Sequence, residues 1–152
     1  MTTRRDVIAA LLLGPLGLVG RPLQALAADE LTSLSIVEAR RRLTTNQISA
    51  PELAEAFLAR IRSANDDVKA FVTVTAARAR ADAGRVRLSA PLGGIPIAHK
   101  DLFETHGIRT TAGSLLYASH IPTTDAVLVA ALARSGTVLL GNTLVDVLAA
   151  AV

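Results

Sequence analysis

Residues 91–114 read PLGGIPIAHKDLFETHGIRTTAGS, and the way this stretch divides decides the fold. Its first part, with Gly93 and Gly94 between Pro91 and Pro96, is loop chemistry. Ile95 to Ala98 follows as a short apolar strand, in which Pro96, lacking an N–H, belongs at an edge or a bulge. Directly behind that strand stands Lys100, one of only two lysines in the chain. From Thr105 to Ser114 two glycines and three threonines are too irregular for a long element.

Downstream of the stretch, Asp125 is expected to open a helix through AVLVAALARSG, with Ala126, Val129, Ala130 and Leu132 inward and Gly136 ending it. TVLLG, residues 137–141, reads as a buried strand. Strand, helix and strand in that order make a right-handed crossover in a mostly parallel sheet, so the class is α/β.

Upstream, the pattern is helical. Ser35 is placed to cap a helix over residues 36–43, whose Arg40, Arg41 and Arg42 are expected on and around a solvated face. Ser49, followed by Pro51 and then Glu52 three residues on, is a capping box. Leu53, Ala56, Phe57, Arg60 and Ile61 recur at helical spacing, predicting a helix over residues 50–64 that ends at Asn65 to Asp67. A short extended piece near residues 68–73 leads into a third helix at residues 76–86. The expectation is thus N-terminal helices followed by part of a mixed, mostly parallel sheet covered by helices. No internal repeat is seen.

The chain has 152 residues, 51% hydrophobic, with a formal net charge of +3 and no cysteine. One domain of ordinary size fits that length, and disulfide or thiolate chemistry is excluded. Arg4, Arg5 and Arg21 against Asp6 supply most of the positive excess. Residues 1–27 run from a positive start, MTTRRD, through an apolar core, VIAALLLGPLGLV, to a small-residue ALA end. That is signal-peptide order, and the Arg4-Arg5 pair resembles a twin-arginine signal. The core is shorter than the roughly 20 residues that span a bilayer, which argues against a permanent membrane anchor. The expectation is a signal over residues 1–27, cleaved after Ala27, an exported protein in the periplasm or outside the cell, and residues 28–152 as the folded part.

PLGGIPIAHKDLFETHGIRTTAGS followed by PTTDAVLVAALARSGTVLLGNT resembles the amidase signature enzymes, which include bacterial amidases and the catalytic subunit of glutamyl-tRNA amidotransferase. Gly94-Ile95-Pro96, Lys100-Asp101, Thr111, Gly113-Ser114, Asp125-Ala126 and Gly136 carry the resemblance in order. It implies hydrolysis of a carboxylic amide C–N bond through a Ser–cis-Ser–Lys triad, with Lys100 as the lysine and no metal or cofactor. Desolvation at the end of a buried strand would favour the neutral amine, which could take the proton of a bridging serine that in turn activates the nucleophile. Backbone N–H groups of a glycine- and serine-rich segment would hold the oxyanion.

In the family both serines lie in that segment, well downstream of the lysine, and this sequence reaches Val152 without it. The ending GNTLVDVLAAAV also departs from the family: Asn142, Leu144, Asp146 and Val147 stand where a lysine, an asparagine, a glutamate and a phenylalanine are common. The resemblance therefore implies the N-terminal portion of a longer enzyme, inactive alone, with a small-molecule amide as substrate of the whole. The alternative is a non-catalytic remnant or a partner-binding module. Uncovered strand edges would leave residues 28–152 marginally folded and prone to self-association.

Other readings of these residues are weaker. Without the motif, Lys100 would be a surface lysine beside Asp101, and Asp101 itself is expected to support the turn. Ser114 with His99 or His106 lacks a nucleophile-elbow pattern. His99, His106 and His120 lack the close pairing of a zinc site. The arginines of ARRRL and RARADAGRVR are interleaved with Glu38 and Asp82 and aromatics are 3%, so a solvated helix face is expected rather than a nucleic-acid surface.

Overall fold

A computed structural model describes residues 28–144. The expected signal lies outside the described residues. The chain forms α1 (Ala28–Thr32), α2 (Ile36–Thr44), α3 (Ala50–Val68), β1 (Phe71–Val74), α4 (Ala76–Arg85), β2 (Pro96–Lys100), α5 (Val127–Arg134) and β3 (Val138–Thr143), with a 3-10 turn at Leu115–Tyr117. The α/β class and the mixed sheet are as the sequence reads. The sheet order is β1-β3-β2. Central β3 runs antiparallel to β1 and parallel to β2, and α5 makes the crossover that a parallel pair requires.

The helices start where their caps say. Ser35 accepts from the Glu38 N–H at 3.2 Å. At α3 the Ser49 Oγ accepts from the Glu52 N–H at 3.3 Å, while the Glu52 carboxylate accepts from the Ser49 N–H at 2.7 Å, so both orphan donors are met. The predicted end of α3 differs. Asn65 stays helical and spends its amide further on: its Oδ1 accepts from the Phe71 N–H at 2.7 Å and its Nδ2 donates to the Phe71 carbonyl at 3.1 Å. The helix therefore runs on to Val68, closes on Lys69 in the left-handed region, and delivers the chain into β1. A further helix, α1, precedes the three that were expected.

Leu43, Leu53, Leu58 and Val138 are fully buried and belong to one cluster with Ala79, Ile95 and Leu140, which ties the helices to the sheet. Burial of side chains of this size stabilises by about 1.5–3 kcal/mol each. Two glycines are required by close approach. A Cβ on Gly136, at φ +85°, would sit 2.9 Å from the Gly93 Cα. A Cβ on Gly141, at φ +153°, would meet the Thr73 carbonyl oxygen at 2.1 Å.

Arg40 refines the expectation of an arginine run on and around a solvated face. Arg41 faces outward and Arg42 is partly covered, and both pair with Glu38 at 2.7 Å. Arg40 turns inward instead and donates to the carbonyls of Gly93, Leu88 (2.9 Å) and Ala90 (3.1 Å). These carbonyls belong to the proline- and glycine-rich loop before β2, which no regular ladder can satisfy. A rigid five-donor guanidinium serves several of them at once. α5 begins at Val127, capped by Ala126 without a side-chain bond. Asp125 does not open it but accepts from the His106 N–H at 2.7 Å, pinning the preceding loop.

Candidate active site

Lys100 is the last residue of β2 and pairs with Thr143 of β3. Its carbonyl accepts from the N–H groups of Leu102 at 2.7 Å and Phe103 at 3.0 Å, so the chain turns sharply there. The expected desolvation is corrected: Lys100 is exposed, and its amine makes no hydrogen bond or ion pair to a described residue. Burial along β2 is uneven, with Pro96 and Ile97 intermediate, Ala98 exposed and His99 buried, and Lys100 stands exposed between two buried neighbours.

Asp101 is the opposite case. It is completely buried, and its carboxylate accepts from the Thr111 N–H at 3.1 Å, the Thr111 hydroxyl at 2.5 Å and the Asn142 amide at 3.4 Å. Its own N–H donates to the Thr143 carbonyl at 2.9 Å, and its carbonyl accepts from Ala112 N–H at 2.8 Å. One side chain thus fastens the strand end that carries Lys100 to the 109–114 loop and to β3. This is the turn-supporting role expected for it.

His99, on the other side of Lys100 in sequence, is buried. The Thr105 hydroxyl donates to the Phe103 carbonyl at 3.1 Å, so its oxygen is left to accept from His99 Nδ1, 3.2 Å away. That assigns the proton of the neutral ring to Nδ1. Burial pushes the imidazole below its ordinary range, the Arg78 charge adds to this, and Asp125 opposes it. Across the sheet, Thr73, Asn142 and His99 are register partners in one row. Each has a buried polar atom, Thr73 Oγ1, Asn142 Oδ1 and His99 Nε2, with no hydrogen-bond partner. The strand position next to Lys100 and Thr143 is therefore polar and underserved, whereas the other buried side-chain polar atoms of the described residues are paired.

The weaker candidates disperse. Ser114 caps the 3-10 turn, accepting from the Leu116 N–H at 3.3 Å, and bonds no histidine. His120 meets Glu104 at 3.2 Å, and among the described residues no cluster of three metal-ligating side chains is found. Sequence reasoning missed Thr73 and the inward role of Asn142. A polar residue in an otherwise apolar strand, VLLGNT, was the available signal.

An exposed lysine at the end of β2, followed by a buried aspartate, thus stands on a small mixed sheet fed by capped helices. A family model described as Amidase matches residues 52–152. The chain belongs to the amidase family. It is 42% identical over 120 residues to the A-type subunit of glutamyl-tRNA(Gln) amidotransferase from Synechococcus sp., covering 74% of this chain and 25% of that protein. With the same component of the Azoarcus sp. enzyme the identity is 45% over 118 residues, covering 74% and 24%. Among solved structures it is similar to native peptide amidase from Stenotrophomonas maltophilia, with a TM-score of 0.66, 29% identity, and 73% and 24% coverage. The chain spans about a quarter of the length of these relatives.

These relatives also correct the expectation of export. The proteins matched are named as subunits of glutamyl-tRNA(Gln) amidotransferase, and the match to them stands against the periplasmic or extracellular destination and the twin-arginine reading behind it.

Proposed function

We propose that this chain carries the base of an amidase that cleaves a carboxylic amide C–N bond through a Ser–cis-Ser–Lys triad. Lys100 is the base. The bridging and nucleophilic serines come from a glycine- and serine-rich segment that these 152 residues do not contain. The observation that supports this reading is the Lys100-Asp101 corner. Asp101 is buried and saturated with donors, while the neighbouring amine is left free and exposed at the strand end.

Such an amine is poised for a partner that has still to cover it. Docking of the serine-bearing part would supply both the nucleophile and the desolvation that makes a lysine an effective base. The substrate is a small-molecule amide, and no cofactor takes part. By itself the chain has a base without a nucleophile and forms no acyl-enzyme.

The test has two arms. Assayed alone on simple aliphatic and aromatic amides, the chain is expected to show no turnover, and turnover that Lys100→Ala abolishes would overturn the inactive reading. Joined to the serine-bearing remainder of an amidase relative, it is expected to hydrolyse the same amides. There Lys100→Ala should lower kcat by about 10²–10⁴-fold, the usual worth of a positioned general base. An unchanged kcat would remove Lys100 from the mechanism.

A further inference from the structure

Thr73, Asn142 and His99 hold the unpartnered buried side-chain polar atoms of the described residues, and all three fall in one row of the sheet. Register partners on neighbouring strands share a face and lie about 5 Å apart. The hydroxyl of β1, the amide of β3 and the imidazole of β2 are therefore gathered side by side. His99 and Asn142 are more than nine-tenths buried, and Thr73, half-buried as a residue, has its hydroxyl oxygen covered.

The bonds around the row fix what each open atom can do. Asn142 Nδ2 donates to two acceptors, the Asp101 carboxylate at 3.4 Å and the Arg109 carbonyl at 3.3 Å. The amide cannot be turned round without setting its oxygen against them, so Oδ1 is the free, accepting end. The His99 Nδ1 proton goes to the Thr105 hydroxyl oxygen, 3.2 Å away, which leaves Nε2 as an acceptor too. Two acceptors thus stand on adjacent strands, and the row itself offers them only the single hydrogen of the Thr73 hydroxyl. A group with two hydrogens to give and a lone pair to accept with answers all three atoms at once.

We propose that the row is a binding site for one ordered water, which donates to His99 Nε2 and Asn142 Oδ1 and accepts from the Thr73 hydroxyl. Buried waters typically make about three such bonds to groups that the chain leaves unpaired. The bridge extends the network of the buried Asp101 carboxylate through Asn142 to both outer strands. An anion would be repelled by the two acceptors. A metal ion is poorly matched by one neutral imidazole between uncharged oxygens, and no cluster of three metal-ligating side chains is found among the described residues. The proposal goes beyond the amidase reading and does not depend on it.

The test is a crystal structure of the full chain at a resolution that shows ordered solvent. One solvent peak is expected within about 3.2 Å of His99 Nε2, Asn142 Oδ1 and Thr73 Oγ1. In solution, a long-range nitrogen-15 correlation should find the neutral His99 ring protonated at Nδ1 and unprotonated at Nε2. A double-mutant cycle supplies the third readout. Thr73 and His99 lie on the two outer strands, about 10 Å apart, and at that distance substitutions with no shared partner act independently. A shared water makes them couple: the effect of Thr73→Val on the unfolding equilibrium constant should be about threefold or more smaller in a His99→Phe background. The structure and the tautomer decide the matter if either variant misfolds. A proton on Nε2 would overturn the proposal, because His99 would then donate directly to Asn142 Oδ1. So would a row with no solvent peak, a peak with the anomalous signal of a metal, or additive effects in the cycle.

Discussion

The helical region from α2 to α4 and the corner at Lys100 are built on opposite plans. The helical region satisfies itself over short distances. Ser35, Ser49 and Glu52 close their own helix ends, Glu38 pairs with arginines three and four residues on, and Asp82 pairs with Arg78 four residues before it and Arg85 three after. The corner is held by contacts of long sequence separation, such as Asp101 with Asn142 and Thr143 with His99. It still leaves buried polar atoms unpartnered and an amine exposed. A region that closes on itself is scaffold; one that leaves groups open is the place where chemistry or a partner enters.

If the contrast is right, the corner side should be the more easily broken. Gly141→Ala puts a methyl group against the Thr73 carbonyl at the β1–β3 pairing. The cost is backbone displacement, expected at about 3 kcal/mol or more. Chemical denaturation should show it, and hydrogen exchange should show β1 amides released ahead of those in α3. A wild-type midpoint would mean that β1 contributes little to the fold.

Arg40 is the strap between the two regions, and its removal should cost less. Arg40→Met keeps the apolar stem but strands the Gly93 and Leu88 carbonyls and leaves Ala90 only its bond from the Gly93 N–H, for about 2 kcal/mol. Arg41→Met, on the solvated face, serves as the comparison and should move the midpoint by less than about 0.5 kcal/mol. Equal effects would return Arg40 to the solvated class. Within the helical region, Ser49→Ala removes one half of a capping box and should cost about 1 kcal/mol by the same denaturation measurement, with the corner amides unaffected.

The two plans also explain what could be read in the sequence. Ser49 to Glu52 spans three residues, so the box was legible before any fold was known. The strand before Lys100 and the strand at residues 137–141 were legible from apolar runs bounded by glycine and proline, although each extends two residues further than read. Arg40 was not legible, because its partners lie 48 to 53 residues away. In sequence it is one of three identical neighbours. Asn65 misled for a related reason. Its side chain looks like a helix stop, yet it is used as a clamp on the next strand. The exposure of Lys100 could not be inferred from the apolar run before it, since a strand's burial is set by what lies beside it. The row of Thr73, Asn142 and His99 exists only once the register of three strands is known.

The smallest expected effect is one of pH, and it separates the two regions by window. His99 is held below its usual 6.5 by burial, so the unfolded chain takes up a proton more readily than the folded one. Its contribution is therefore intact above about 6.5 and is lost as pH falls from there through the lower folded value. In the helical region Glu38 is lowered from 4.5 to about 2, first by its hydrogen bond to Arg41 and then by that to Arg42. Glu52 is lowered by the Ser49 hydroxyl and N–H. Those contributions persist at pH 5 and disappear only as pH falls below 4.5. Lowering the pH from 8 to 3 should thus release the amides of residues 98–112 first, beginning near 6.5, while the first turns of α2 and α3 keep their protection until the acid carboxylate range. The measurement is residue-resolved hydrogen exchange, corrected for the intrinsic pH dependence. His99→Gln should remove the first step and leave the second. Simultaneous release of both regions near pH 4 would show that His99 does not govern the corner and that the two regions open as one cooperative unit.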